Sequence, residues 1–272
     1  MRTAKEIIEH MEQQRNERQR EVLMGFFKTA PGEYGEGDEF LGLKVPQTRE
    51  VVKNAKDTPL GEIPELLMCR WHEVRLCGLL LLVSKFEALA KKRLETDEAA
   101  IEKRDEIVKM YLRYAEQANN WDLVDLSAPK ILGRWIGLPT HVGDKRAIID
   151  QLAYSNNLWR QRMSMVCTWT TSQQGDPSWC LRYAEMHLGH KHDLMHKAVG
   201  WMLREMGKRV SMDLLRDFLR QHLHEMHRTT LRYAIEKMDE KERKAWMRTT
   251  MINGEWRMEN GEWISLLPQK DR

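Results

Sequence analysis

The chain has 272 residues, of which 42% are hydrophobic and 31% charged, and its formal net charge is +3. This composition excludes a disordered chain, because the apolar surface is sufficient to offset the loss of chain entropy on folding. The longest uncharged apolar segment, residues 76–84, has nine residues, whereas a membrane-spanning helix needs about 20, so we expect no membrane association.

The first residues contain no apolar leader segment, and the four cysteines form no CxxC pair. Both features are typical of proteins whose thiols stay reduced, so we expect a cytoplasmic protein. Residues 191–272 hold 17 basic and 13 acidic side chains. This mild basic bias permits a polyanionic partner but does not require one.

Apolar residues recur at spacings of three, four and seven along most of the chain, which predicts an all-α protein of about a dozen helices and no convincing strand. The exception is residues 30–46, where Gly and acidic side chains predict an irregular acidic loop followed by a helix near Pro46. Later helix starts are indicated by Asp144, by Asp176 before a proline, and by Ser211. We expect an irregular tail over residues 254–272.

Five predicted helices share one register, in which a charged residue precedes a compact run of small or apolar residues. The charged positions are 75, 125, 162, 197 and 232, so the last four are 37, 35 and 35 residues apart. A period of this length in a helical chain is typical of an α-solenoid, whose stacked helix pairs line a concave inner face. Four of the positions are basic and are expected to line that face, whereas Asp125 is acidic; the basic ones are Arg75, Arg162, Lys197 and Arg232.

The acidic position lies on a helix predicted to begin at Trp121. Trp121 and Asp125 are four residues apart and therefore share a helix face. Both lie at the edge of the predicted buried stripe, which consists of Val124, Ala128, Ile131 and Trp135. A carboxylate at such an edge is partly desolvated and can still meet a ligand. The alternative is an ordinary acidic residue in a first turn, favoured by the helix dipole.

A second stripe combines an aromatic ring with cations: Lys197, Trp201, Arg204 and Lys208 follow one another at spacings of four, three and four. The opposite stripe is apolar, so the ring lies on the solvent side of this helix. Rings flanked by cations suit a nucleic acid, with phosphates at the cations and a sugar or base at the ring. The alternative is a tryptophan that packs on the next repeat beside solvated charges.

Arg162 lies one position off an apolar stripe that includes Trp159, again at an edge. The alternative to a ligand contact there is a structural ion pair with an acid of the adjacent repeat, including Asp125. His192 and His196 have a spacing that metal sites use, but no HExxH motif is formed, so we expect solvated polar surface and no metal. Motifs of kinases, NTPases, Rossmann folds and serine hydrolases are missing from the sequence.

Three segments carry a resemblance to a known family: Asn120–Asp125, Leu158–Arg162 and Lys197–Lys208. In this order and spacing they resemble the motifs of the AlkD-type DNA alkylation repair glycosylases, bacterial-type enzymes built from HEAT-like repeats. The resemblance extends from about Phe40 to about Met238. It implies one domain over residues 1–272 with five to six HEAT-like helix pairs and a concave groove for duplex DNA.

By that resemblance, the chain removes cationic N3- and N7-alkylated purines, such as 3-methyladenine and 7-methylguanine, from duplex DNA without base flipping. The catalytic residues would be Asp125, with Trp121 and Trp201 in the groove and Arg162 beside the lesion. Arg204 and Lys208 match positions that hold the DNA backbone. The basic register positions Lys197 and Arg232, together with Arg162, complete the predicted DNA-binding set.

The chemistry agrees with these residue types. An alkylated purine that already carries a positive charge leaves readily, so one carboxylate is enough to stabilise the charge that develops on the deoxyribose and to orient a water. Tryptophan faces add cation–π attraction of about 0.5–2 kcal/mol each. We therefore expect a monofunctional base excision repair hydrolase, monomeric, nucleoid-associated and without metal or organic cofactor.

Two departures from the family pattern keep alternatives open. Asn120 stands where the family often has a first tryptophan, and Thr168, Thr170 and Thr171 stand where another phosphate-binding cation is expected. One alternative is a catalytically silent relative that binds damaged or branched DNA. The other is a protein-binding α-solenoid scaffold, a common use of this architecture.

Overall fold

A computed structural model describes the backbone of residues 1–252 and 255–258 and the side chains of residues 1–248. The chain divides into two compact units, Met1–Met163 and Ser164–Arg272. The boundary falls within the helix Leu158–Val166. The prediction of a single domain over residues 1–272 stays a prediction.

Helices make up the first unit. They are α1 (Ala4–Glu12), α2 (Glu17–Phe26), α3 (Val45–Asn54), α4 (Ile63–Leu67), α5 (His72–Leu89), α6 (Glu98–Arg113), α7 (Trp121–Ala128), α8 (Arg134–Ile136), α9 (Lys145–Ala153) and α10 (Leu158–Val166). Short 3₁₀ turns lie at Leu60–Glu62, Lys92–Leu94 and Ala115–Gln117, and a π-helical turn, Pro129–Gly133, joins α7 to α8.

The helix α5 forms the centre of the first unit, and α3, α4, α6 and α7 pack against it. Every residue from His72 to Val83 is buried, as expected for a helix that is surrounded by neighbours on all sides. Four large apolar side chains of this helix, at helical spacing, belong to the core: Leu79, Leu82, Val83 and Phe86.

The second unit contains α11 (Thr168–Gln173), α12 (Ser178–His187), α13 (Asp193–Arg209), α14 (Met212–His222), α15 (Arg228–Ala234) and α16 (Glu240–Arg248). The helices α11, α12, α14 and α15 pack against α13. A Cβ atom at Gly200 would overlap the backbone oxygen of Thr230 and the side chain of Tyr233. The close approach of α13 and α15 therefore requires glycine at this position.

The described residues contain one departure from all-helical structure. Strand β1 (Thr249–Ile252) pairs antiparallel with β2 (Glu255–Met258), so the expectation of no strand is wrong here. The sequence carried a signal, because an Asn-Gly pair between two short runs of β-prone residues is typical of a hairpin. The rest of the predicted irregular tail, residues 254 and 259–272, lies outside the described residues.

The predicted helix starts are confirmed. Helix α3 begins at Val45, next to Pro46 in its first turn. The side chain of Asp144 caps α9 by accepting a hydrogen bond from the backbone N–H of Arg146, and Ser211 caps α14 in the same way. None of the helices in the described part of the chain has the length and apolar content needed to cross a bilayer.

The acidic segment between α2 and α3 is held by side chains from α5. The carboxylate of Glu73 accepts hydrogen bonds from the backbone N–H groups of residues 41–43 at 2.8–2.9 Å. Asp38 is buried and accepts a hydrogen bond from Arg75 at 2.5 Å. One expectation is therefore wrong: Arg75 does not line an open basic face, because it is buried in an ion pair with Asp38.

Candidate functional site

The helix α7 carries the predicted catalytic carboxylate. Asn120 caps it, with its side-chain oxygen accepting a hydrogen bond from the N–H of Trp121 at 2.9 Å. The predicted buried stripe is confirmed, and Trp121 and Asp125 are half-buried at its edge; the stripe is Val124, Ala128, Ile131 and Trp135. The sequence thus predicted the placement of both residues from helical period alone.

Asp125 makes a bidentate ion pair with Arg162 of α10. The Arg162 Nε donates to Asp125 Oδ1 at 2.9 Å and Nη2 donates to Oδ2 at 2.8 Å. The side chains are 5% and 15% exposed for Arg162 and Asp125 respectively. The guanidinium of Arg162 is buried against Asp125, so the alternative of an Arg162–Asp125 ion pair describes the contact. The role of Arg162 toward DNA stays a prediction.

The electrostatics of Asp125 are a balance of opposing effects. Burial raises the pKa of its carboxyl, and the carboxylate of Asp122 acts in the same direction, whereas Arg162 lowers it. Burial disfavours the charged form of a carboxyl and a neighbouring cation favours it. Burial outweighs the effect of Arg162, so the pKa of Asp125 is raised above its ordinary value, and its negative charge depends on a positive partner.

Two aromatic side chains at the end of α2 contact Trp121, and the sequence analysis did not predict these contacts. The Trp121 ring lies 5.8 Å from Phe26 in an edge-on contact and 5.4 Å from Phe27. Phe26 is 60% exposed, whereas Phe27 is buried. A signal was present, because two adjacent phenylalanines at a helix end cannot both face the same core. An exposed ring next to Trp121 enlarges the aromatic surface there.

A second aromatic contact lies close to Arg162 in sequence. Trp159, one turn earlier on α10, is buried as predicted and meets the ring of Tyr34 edge-on at 6.3 Å. Tyr34 belongs to the acidic segment, whose role in holding α10 the sequence did not reveal.

The second unit holds the remaining predicted site residues. Trp201 is half-buried on α13, and Lys208 is exposed. Lys197 makes an ion pair with Asp193 at 2.7 Å, and Arg204 makes ion pairs with Glu205 and Glu236. Two cations of the predicted stripe are thus already paired within the protein. Among the described residues, Lys208 and the exposed Arg232 of α15 have no ion-pair partner.

The predicted site residues therefore form two groups. Trp121, Asp125 and Arg162 come together in the first unit. The others lie in the second unit, four on α13 and one on α15: Lys197, Trp201, Arg204, Lys208 and Arg232. The catalytic and DNA-binding roles of both groups stay predictions.

The threonines that depart from the family pattern are core residues. Thr168, Thr170 and Thr171 are buried. The hydroxyls of Thr168 and Thr171 donate to backbone oxygens three residues earlier, at 2.7 and 2.9 Å. Such local bonds satisfy a hydroxyl inside a helix. These threonines therefore do not take the place of a phosphate-binding cation at the surface.

The expectation of solvated polar surface is wrong for His196, and a second histidine, His187 at the end of α12, is also buried. His187 is buried, and its Nε2 lies 2.9 Å from Ser164 Oγ. Burial, with a smaller effect from His190, lowers the pKa of His187 to about 4. His196 is buried and stacks on His227 with ring centroids 3.9 Å apart. Both His187 and His196 are therefore part of the protein interior.

Comparison with known proteins adds to this geometry. No curated protein matches the sequence. Among solved structures, a protein described as a predicted DNA alkylation repair enzyme from Enterococcus faecalis is similar, with a TM-score of 0.63 and 16% identity. The similarity covers 83% of this chain and 97% of that one. It confirms the all-α solenoid class predicted from the sequence.

The family assignment comes from the sequence. The sequence model of the family described as "DNA alkylation repair enzyme" matches residues 7–238, which is most of the chain and includes every predicted site residue. This match confirms the family to which the motifs of α7, α10 and α13 pointed. The chain belongs to the DNA alkylation repair enzyme family, whose role is in DNA repair.

Proposed function

We propose that the protein is a monofunctional DNA glycosylase that hydrolyses the N-glycosidic bond of cationic alkylated purines in duplex DNA without base flipping. The observation that carries this proposal is the half-buried Asp125 carboxylate, oriented by two hydrogen bonds from Arg162, one turn from the half-buried ring of Trp121. The protein acts as a cytoplasmic monomer without metal or organic cofactor.

Asp125 supports loss of a cationic base. As the N-glycosidic bond breaks, positive charge moves from the base to the deoxyribose, and a fixed carboxylate stabilises that charge. A positively charged substrate would stabilise the ionised form of Asp125, because a positive partner favours that form whereas burial opposes it. Each carboxylate oxygen accepts more than one hydrogen bond, so the contact with Arg162 leaves lone pairs that orient the attacking water.

Trp121 supports recognition of the same charge. Its ring is half-buried, and the exposed ring of Phe26 extends the aromatic surface beside it. The face of an indole attracts a cation within about 6 Å, so this surface favours a charged alkylpurine nucleotide over an unmodified one. Lys208 and Arg232 supply phosphate contacts in the second unit, with Trp201 as a further aromatic contact.

The test is base release from methylated duplex DNA by the wild type and by Asp125→Asn. We expect the variant to lose at least about 100-fold in rate, as when a preorganised charge-stabilising group is removed, and to bind DNA as the wild type does. Glu116→Gln is the matched control, because Glu116 also pairs with an arginine of α10 but is exposed; this variant should keep full activity. Equal release by Asp125→Asn and wild type would overturn the proposal.

One alternative has a specific observation in its favour. Both oxygens of Asp125 already accept hydrogen bonds from Arg162, as in a structural ion pair. A relative that binds damaged or branched DNA without excising a base would need Asp125 only as the partner of Arg162, with no role in chemistry. Methylated duplex that is bound tightly by the wild type, with no release of base, would establish that function instead.

A further inference from the structure

Four charged side chains are buried together next to the start of α7. His72 lies between two carboxylates: its Nδ1 is 2.7 Å from Asp38 Oδ2, and its Nε2 is 3.0 Å from Asp122 Oδ2. Arg75 donates to the other oxygen of Asp38 at 2.5 Å and to two backbone oxygens. All four side chains are at most 8% exposed. The cluster joins the acidic segment, α5 and α7.

The geometry of this cluster requires a charged histidine. Each ring nitrogen of His72 faces a carboxylate oxygen, and both nitrogens donate hydrogen bonds only in the imidazolium form. Two cations then balance two carboxylates. Burial lowers the pKa of His72, but the charges and hydrogen bonds of Asp122 and Asp38 outweigh burial and raise the pKa to about 9.

His72 reaches Trp121 by two routes. The first is covalent, because Asp122 follows Trp121 in the first turn of α7. The second passes through aromatic contacts. The His72 ring stacks on Phe40 at 4.4 Å and lies tilted against Phe27 at 5.0 Å, and Phe27 lies tilted against Trp121 at 5.4 Å. A change at His72 therefore acts on both the backbone and the ring of Trp121.

Asp122 depends on His72 for its position. Its Oδ1 is buried and has no hydrogen-bond partner among the described side chains, so its one side-chain hydrogen bond is the one to His72. Buried ion pairs add little net stability compared with apolar packing. The contribution of this pair is to orient the two side chains, because a hydrogen bond at 3.0 Å restricts the distance and the angle between them.

We propose that His72, in its imidazolium form, is a positioning residue. Through Asp122 it fixes the position of the first turn of α7, and through Phe27 it fixes the position of the Trp121 ring. Through that turn it also sets Asp125, one turn further along α7. The part of this inference that concerns excision rests on the proposed function. The part that concerns the placement of Trp121 does not.

The experiment uses the full chain labelled with 5-fluorotryptophan, so that placement and activity are measured on the same protein. The fluorine resonances of Trp121 and of the buried Trp246 are assigned from Trp121→Phe and Trp246→Phe. We expect His72→Gln to shift or broaden the Trp121 resonance and to leave that of Trp246 unchanged. In single-turnover assays on a duplex with one 7-methylguanine, the variant should lose about tenfold in rate, as for a misplaced catalytic group, with unchanged affinity for the duplex.

The matched control is Asp105→Asn in the same unit. Asp105 is equally buried on α6 and accepts hydrogen bonds from Thr140 and His141 at 2.5 and 2.7 Å, in a network with no residue of α7. At a temperature below the melting point of both variants, Asp105→Asn should leave the Trp121 resonance and the excision rate as in the wild type. An equal effect of the two variants would overturn the inference, since the loss of any buried hydrogen-bonded group would then be enough to disturb Trp121 and slow excision.

A Trp121 resonance that is the same in His72→Gln and wild type would also overturn the inference, whatever the excision rates are. If the wild type releases no base, the proposed function fails, and the Trp121 resonance still decides the positioning role. Asp122→Asn is the second variant, for use if His72→Gln does not fold. It keeps the shape of the side chain and removes the charge opposite His72, and it should shift Trp121 in the same way.

Discussion

The two units satisfy their buried polar groups in different ways. In residues 1–163 the buried polar side chains are mainly ionisable and bond across elements: Asp38, His72, Glu73, Arg75, Arg104, Asp105, Asp122 and Arg162. In residues 164–248 they are mainly hydroxyls and histidines: Ser164, Thr168, Thr170, Thr171, Ser172, His187, His196 and Thr230. A hydroxyl is satisfied by its own helix, whereas a buried ion requires a partner at a set distance and angle.

The difference explains where a catalytic carboxylate can be held. Asp125 sits among charged pairs that join α7 to α5 and α10, so its position is specified by long-range contacts. The residues predicted to meet phosphates lie in the second unit, where α13 is held by apolar packing and by close approach at Gly200. Phosphate contacts tolerate small displacements better than a group that must stabilise a developing charge.

The largest expected effect is on the free energy of unfolding, when the arginine of a bidentate ion pair is replaced in one unit or the other. Arg162→Met leaves Asp125 as an unpaired, half-buried charge, and we expect a loss of about 3 kcal/mol in the free energy of unfolding. Arg216 makes a bidentate pair with Glu242 in the second unit, at 2.7 and 3.0 Å. Glu242 is 10% exposed, but it also accepts a hydrogen bond from the indole N–H of Trp246 at 3.4 Å. Because Arg216→Met leaves that partner in place, this variant should lose less, about 1–2 kcal/mol. Urea unfolding at pH 7 measures both.

The double variant Asp125→Asn/Arg162→Met is the internal control for this measurement. With the unpaired charge removed, it should recover part of the loss seen in Arg162→Met. Equal losses for Arg162→Met and Arg216→Met would contradict the contrast drawn between the two interiors.

The next prediction concerns two of the buried histidines, His187 and His72, whose contributions to stability should respond to pH in opposite directions. The pKa of His187 is about 4 in the folded chain, below its ordinary 6.5, so its contribution to stability is complete above pH 6.5 and falls as the pH is lowered toward 4. The pKa of His72 is about 9, so its contribution is complete below pH 6.5 and is lost as the pH rises through 9. Each effect amounts to roughly 3 kcal/mol, at about 1.4 kcal/mol per pH unit.

Thermal unfolding from pH 4 to pH 10 separates the two contributions. His187→Asn should flatten the acid side of the profile relative to the wild type, and His72→Gln should flatten the alkaline side. Parallel profiles for a variant and the wild type would show that the histidine in question has the same pKa in the folded and unfolded chain.

The sequence predicted what depends on helical period. The class of the fold, the starts of α3, α9 and α14, and the half-buried edge position of Trp121 and Asp125 all follow from local spacing. The spacing does not predict which charged side chains form ion pairs with each other. Arg162 could reach either a phosphate or Asp125, 37 residues earlier in the chain, and only the packing of α10 beside α7 decides between them.

The same reason explains the error at Arg75. This residue was expected on an open basic face because charged side chains usually lie at the surface, yet it is buried against Asp38, which is 37 residues earlier in the chain. His72 gave no signal of its own, because a single histidine in an apolar helix is uninformative until its two carboxylate partners are placed.

The smallest expected effect tests the role of the second unit. Lys208→Ala and Arg232→Ala remove exposed cations that have no ion-pair partner among the described residues. Each should weaken binding to duplex DNA a few-fold and reduce the slope of log affinity against log salt by about 1, because one fewer counterion is released. Lys197→Ala should change the slope less, since Asp193 competes for that cation. Lys5→Ala, which removes a cation of an exposed pair in α1, is the control for loss of charge alone. If Lys5→Ala changed the slope as much as Lys208→Ala does, overall charge rather than these two positions would determine how the protein binds DNA.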